Sequence, residues 1–256
     1  MKIIITWLLF VGVIAVNALA NILPINGYNT GQISAFYPNA FVPAGFTFSI
    51  WGVIYLLLLS YSIGFTYYTL KQEQYPKAFA FIERINIYFL LTCVFNMSWI
   101  VVWHYLQIEL SVLIMLLFLI TLIQLFLKTI TLARDLTLTQ RFILQTPFIV
   151  YLGWISVATI ANITALLVAY KWTALCIAPV YWSAAMILIA IILAVLMLIK
   201  FKAVPFALVV AWALWGIYNA QGSVAPILAN LTAGGIGVLI TVSFFTFFKS
   251  KNQLVN

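Results

Sequence analysis

Acidic residues are nearly missing from this chain. Its 256 residues include four Asp and Glu, twelve Lys and Arg and one His, so charged side chains make up only 6%. A soluble domain carries about 25% charged and 45–50% apolar residues, whereas 66% of this chain is hydrophobic. Even large single domains bury only about 75% of the surface their unfolded chains expose. No compact soluble fold hides this much apolar area, and no disordered chain carries it. Cysteine is scarce too: Cys93 and Cys176 both lie inside apolar runs. There they read as small hydrophobes rather than as a disulfide or a metal pair, which excludes a disulfide-stapled secreted domain. The net charge of +8 invites a nucleic-acid partner. Its cations, however, stand at the flanks of apolar runs, the pattern of a chain inserted in a bilayer. The chain reads as an integral membrane protein, with lipid and not nucleic acid as its surroundings.

Further absences narrow the chemistry. Glu73, Glu83, Glu109 and Asp135 all fall in loops or at span ends. Proton and ion pumps place titratable groups inside the bilayer, so a coupled transporter is disfavoured, although backbone carbonyls can also hold Na⁺. His104 is the sole His, which rules out a multi-His metal site. There is no Ser-His-Asp set, no Gly-rich phosphate loop and no Cys cluster. Hydrolytic or metal catalysis has no residues to run on, and the expectation is a non-enzymatic protein without a catalytic or metal site or a resident cofactor.

What the chain does have is length without charge. A helix needs roughly 20 apolar residues to cross about 30 Å of hydrocarbon. Eight stretches supply them: Ile3–Leu23, Phe46–Leu70, Ile85–Tyr105, Ile108–Leu127, Phe142–Tyr170, Thr173–Ile199, Ala203–Tyr218 and Val224–Phe248. Lipid leaves no backbone group unpaired, and the alternation of a β-barrel is absent, so the fold class is all-α with eight transmembrane helices. The charges check the count. One face collects Lys2, Lys71, Lys77, Arg84, Lys128, Arg134, Arg141, Lys200, Lys202, Lys249 and Lys251, and the other holds Lys171 alone. Eleven against one places both termini in the cytoplasm, and the bias suits a bacterial inner membrane. Lys2, the following apolar run and Ala18-Leu19-Ala20 also fit a cleavable signal peptide. The run continues to helix-crossing length, which favours a first span.

Nine Trp and thirteen Tyr remain to be explained. Aromatic belts at both interfaces account for Trp172 and Trp103. They do not account for Trp51, Trp99, Trp154 and Trp182, which lie deeper and toward the outer half. A shared aromatic cavity opening outward is one reading; helix packing plus belt is the other. Over that end runs the charge-free segment Pro24–Gly45, too polar for lipid and too aromatic to float freely. It is either a folded cap over the bundle or an ordered connector. Asn17, Asn96 and Asn162 within the spans suit interhelical hydrogen bonding. Ala225, Ala229, Ala233 and Gly237 recur every four residues, a stripe that admits a close helix neighbour. That neighbour is either internal or a second chain, the latter making a homo-oligomer.

Three segments together resemble the TspO/MBR family of translocator proteins, also called tryptophan-rich sensory proteins. Pro43-Ala-Gly-Phe-Thr-Phe-Ser-Ile-Trp51-Gly-Val-Ile-Tyr55 is similar to its P-x7-V-W-x-x-L-Y signature. Asn96-Met-Ser-Trp99 follows its L-N-x-x-W, with Trp103 and His104 where the family often has two Phe. Tyr151-Leu-Gly-Trp154-Ile-Ser-Val-Ala158-Thr159-Ile-Ala-Asn162 follows its Y-x-x-W-x-x-x-A-T-x-x-N. The resemblance implies a five-helix bundle over residues 1–171, with residues 172–256 adding three transmembrane helices. It also implies a pocket for tetrapyrroles, sterols or drug-like apolar ligands, lined by Pro43, Trp51, Tyr55, Asn96, Trp99, Trp154, Ala158 and Asn162. The chain departs from the pattern in lacking the Lys-Pro pair of the first loop and the Gln one turn before Asn96.

The expected function is therefore a membrane receptor or binding protein for an apolar, porphyrin- or sterol-like ligand, in sensing or handling. An uncoupled exporter of small apolar solutes is the alternative. A light-dependent porphyrin-degrading enzyme, with Trp51 and Trp154 as redox residues, is a third.

Overall fold

The computed structural model describes residues 1–23, 25–172, 177–221 and 225–252, with side chains to residue 248. Among these there are eight helices long and apolar enough to cross a membrane, and no strand. The helices are α1 (Lys2–Ile22), α2 (Thr30–Ser34), α3 (Ile50–Leu70), α4 (Pro76–His104), α5 (Ile108–Leu132), α6 (Leu138–Leu144), α7 (Thr146–Ala169), α8 (Pro179–Phe201), α9 (Val204–Gln221) and α10 (Pro226–Asn252). The short α2 and α6 are the two that do not cross. The chain is an all-α integral membrane protein.

Several helix ends differ from the charge-based spans, and each difference has a local cause. Helix α4 starts at Pro76, nine residues before Ile85, because proline suits the first helical turn. Lys77, Glu83 and Arg84 ride on that extension. At 29 residues, α4 is about 43 Å long, more than the hydrocarbon thickness of about 30 Å. The fifth span does not begin at Phe142. Pro147 has no N–H to continue a helix, so α6 stops at Leu144 and α7 starts at Thr146. A reciprocal capping box holds the start of α6: the Gln140 N–H donates to the Thr137 hydroxyl at 3.2 Å, and the Thr137 N–H donates to the Gln140 side chain at 3.0 Å. Helix α8 opens on Pro179 and ends at Phe201, where Lys202 turns left-handed with φ of 53°. The expected starts at Thr173 and Val224, and Cys176, lie outside the described residues.

The chain forms two compact units. The first comprises residues 1–33 and 50–155. Its α1 buries Thr6, Phe10, Val13, Asn17 and Ala20, one face at helical spacing. Contacts between α1 and α4 advance in step along both helices, as parallel neighbours require. Lys2 pairs with Glu83, the Asn86 amide donates to the Thr6 hydroxyl at 3.1 Å, and the Asn17 amide donates to Asn96 at 2.7 Å. Deeper, Tyr61 lies 4.8 Å from both Phe89 and Phe148. These rings tie α3, α4 and α7 together.

The second unit comprises residues 34–49 and 156–256. Helices α8, α9 and α10 pack on one another. The small residue that permits this closeness is Gly235. A Cβ there would stand 2.9 Å from Cγ1 of Ile191 on α8 and 3.2 Å from Cδ1 of Leu214 on α9. The four-residue stripe lies on a neighbouring face: Ala229 is buried, whereas Ala233 and Gly237 are exposed. Residues 34–49 dock on α9. The Ala44 N–H donates to the Gly216 carbonyl at 3.0 Å, and the Trp212 indole N–H donates to the Thr47 carbonyl at 2.9 Å. Phe46 completes this contact edge-on to Trp212 and Trp215, at 5.6 and 5.0 Å.

Candidate ligand-binding site

Four rings from α3 and α7 converge in the first unit. Trp51 stacks on Tyr55 one turn later, centroids 5.5 Å apart and planes at 20°. Its edges meet Tyr151 at 6.0 Å and Trp154 at 6.1 Å, both near perpendicular. Phe118 of α5 backs Tyr151 at 5.1 Å. These are the offset and edge-to-face geometries that ring quadrupoles favour. Tyr151 and Trp154 are buried, whereas Trp51 is only half-buried.

Asn96 links this cluster to the bundle. It is fully buried; its side-chain oxygen accepts from Asn17 at 2.7 Å, and its amide donates to the Tyr151 hydroxyl at 2.8 Å. Asn17 also donates to the Val13 carbonyl at 2.9 Å. The interhelical role expected of these amides is thus realised among α1, α4 and α7. The Tyr55 hydroxyl, enclosed beside Asn96, makes no hydrogen bond of good geometry.

Trp99 does not join the four rings but stacks on Trp103, at 5.7 Å and 18°. Asn96, Trp99 and Trp103 follow one another at helical spacing and share a face of α4. The end of α4 is closed by the segment after α1. Asn26, left-handed with φ of 57°, donates its amide to the His104 carbonyl at 3.0 Å, and the Trp103 indole N–H donates to the Thr30 carbonyl at 3.4 Å. His104 is fully buried. Its Nδ1 donates to the Ile100 carbonyl at 2.8 Å, and Nε2 has no hydrogen-bond partner among the described residues.

The other residues expected at the site, Pro43, Ala158 and Asn162, belong to the second unit. Pro43 packs against α9 at Gly216, Asn162 is buried and Ala158 half-buried.

The second unit contains a cavity of about 470 Å³, a volume typical of small-molecule pockets. One wall is the later half of α7, through Ile160, Ile163, Thr164, Leu167 and Val168, continuing to Lys171 and Trp172. The opposite wall is the start of α8, through Pro179, Trp182, Ser183 and Met186, and Asn39 and Phe41 close a side. Trp172 and Trp182 meet at 5.1 Å. Of the indoles for which a shared cavity was one reading, only Trp182 lines this one, and Trp172, assigned to the interfacial belt, lines it as well. The remaining wall residues escaped the sequence reading. They lie at helical spacing, 160, 163, 164, 167 and 168 on α7 and 179, 182, 183 and 186 on α8, among residues as apolar as their neighbours.

Comparison with known proteins gives one family. A family model described as TSPO-like protein matches residues 3–245, through all eight crossing helices. No curated protein and no solved structure matches the chain.

Proposed function

Because this chain belongs to the TSPO-like protein family, we propose that it is a membrane receptor or binding protein for an apolar, flat ligand of porphyrin or sterol kind. Membership itself suggests a membrane protein that binds or senses a ligand. The observation that carries the finer reading is the convergence of Trp51, Tyr55, Tyr151 and Trp154 beside Asn96. Indole and phenol faces stack on a flat macrocycle, and each such pair contributes about 0.5–1.5 kcal/mol beyond area burial. In this reading a porphyrin is a ligand and not a resident cofactor. Trp51 and Trp154 act by stacking, without a redox role. The eleven-to-one charge bias supports cytoplasmic termini in a bacterial inner membrane.

The test is a titration of the purified protein with protoporphyrin, read by intrinsic Trp fluorescence. Saturable quenching at micromolar concentration is expected. Quenching that rises linearly means partitioning into lipid or detergent and overturns the reading. Flux of the same compound into sealed vesicles, absent for a pure binder, would make the protein a carrier instead.

A further inference from the structure

We propose that the cavity between α7 and α8 is a second site, for an acyl chain ending in a single anionic group, with Lys171 as the counter-ion. This goes beyond the porphyrin or sterol reading and uses none of the rings around Trp51.

The argument starts from charge. The second unit contains no Asp or Glu in its sequence. Lys171 lines the cavity while remaining exposed, held there by a left-handed turn with φ of 49° after α7. It therefore has no carboxylate partner within its unit. Of the unit's other cations, Lys200 sits in the last turn of α8 and Lys202 directly after it, at the far end of a 23-residue helix about 34 Å long. The near end of α8 adds to the positive potential. Its N-cap, Ala178, offers no side-chain acceptor, and the start of a helix favours an anion.

The Thr164 and Asn39 side chains on the wall are occupied locally. The Thr164 hydroxyl donates to the Ile160 carbonyl at 2.8 Å. The Asn39 amide donates to the Tyr37 carbonyl at 2.8 Å, and its oxygen accepts from the Phe41 N–H at 3.0 Å. What a ligand meets is mostly apolar side chain and indole, with the Ser183 hydroxyl on the α8 wall and one positive charge at one end. A neutral apolar body leaves that charge unpaired, and a compact anion leaves the apolar walls empty. A chain with one anionic head matches both.

The probe is 9,10-dibromostearic acid, whose bromines quench indole on contact, with its methyl ester as the uncharged twin. The full chain is held in phosphatidylcholine nanodiscs at a pH well above that of the carboxyl. The acid is expected to quench saturably and to bind about three- to five-fold more tightly than the ester, the range for a partly exposed charge pair. Lys171→Gln should bring the acid down to the ester, and Lys171→Arg should keep the difference. The double replacement Trp172→Phe with Trp182→Phe should remove most of the saturable quenching. Thermal denaturation of each variant confirms that it folds. Acidic phospholipid that competes with the acid identifies the head as a lipid phosphate; failure to compete identifies it as a free carboxylate. Equal affinity for acid and ester, or quenching that survives loss of both indoles, overturns the site.

Discussion

Gly216 lacks a side chain where Pro43 packs: a Cβ built on it would stand 2.9 Å from the Pro43 Cβ and closer still to the Thr47 hydroxyl. The same glycine accepts the Ala44 N–H through its carbonyl, so the turn at Gly45–Ser49 cannot recede without losing that bond. Gly216→Ala should therefore destabilise the protein, by about 1–3 kcal/mol as overpacking does. Gly234→Ala is the control. Nothing lies within 4 Å of its Cβ position, and alanine favours a helix over glycine by up to about 1 kcal/mol. Thermal denaturation in detergent should move in opposite directions for the two.

The Asn17–Asn96–Tyr151 chain of hydrogen bonds makes a second prediction. Asn96→Ala leaves both partners buried without their bonds. Interhelical hydrogen bonds in membranes average about 0.6 kcal/mol and reach about 1.7. Asn17→Ala and Asn96→Ala should each lower stability, and a double-mutant cycle should return a coupling in that range. A coupling of zero would mean that the two amides do not depend on each other.

How much of this was legible in the sequence depends on what a membrane leaves visible. Length without charge revealed the eight crossing helices, because lipid tolerates no other backbone. Charges placed the start of α4 wrongly, since Lys77 and Arg84 end a hydrocarbon span without ending a helix; Pro76 was the informative residue. Trp51, Asn96 and Trp154 were singled out by motif spacing; in the structure Tyr151 links Asn96 to Trp51, and Trp51 meets Trp154 directly. The α7–α8 cavity stayed hidden for a physical reason. A helix apolar on every side shows no contrast between a face toward lipid and a face toward a pocket. Only Lys171, the lone cation of its side, marked the place.

Small residues on α10 give a third prediction. Gly235 meets Ile191 and Leu214, whereas Ala233 is exposed. Gly235→Leu should destabilise the packing of α10 on α8 and α9 by several kcal/mol, and Ala233→Leu should leave the melting temperature within a degree or two. If Ala233→Leu instead changes the particle size in detergent, the exposed part of the stripe is a contact between copies of the chain.

The charge bias yields a topological prediction. Gln74, in the exposed turn between α3 and α4, should face the cytoplasm, and Tyr28, exposed after α1, should face the opposite side. Single cysteines at these positions, with Cys93 and Cys176 replaced, should react with an impermeant thiol reagent from opposite sides of sealed vesicles. Labelling from the same side contradicts the alternation of eight crossings.

The last prediction separates the two aromatic places. Trp51 touches Tyr55, Tyr151 and Trp154 and is only half-buried. Losing one indole removes a stacking contact and its buried area, on the order of 2 kcal/mol together. Trp51→Ala or Trp154→Ala should therefore weaken protoporphyrin binding about ten-fold or more, since 1.4 kcal/mol is a factor of ten. Trp172→Ala should change it little, because Trp172 lines the α7–α8 cavity. The readout is absorbance of the bound porphyrin, which does not depend on how many indoles remain. Weakening by Trp172→Ala alone would move the porphyrin to that cavity, and equal weakening by all three would indicate uptake by the bilayer rather than by a site.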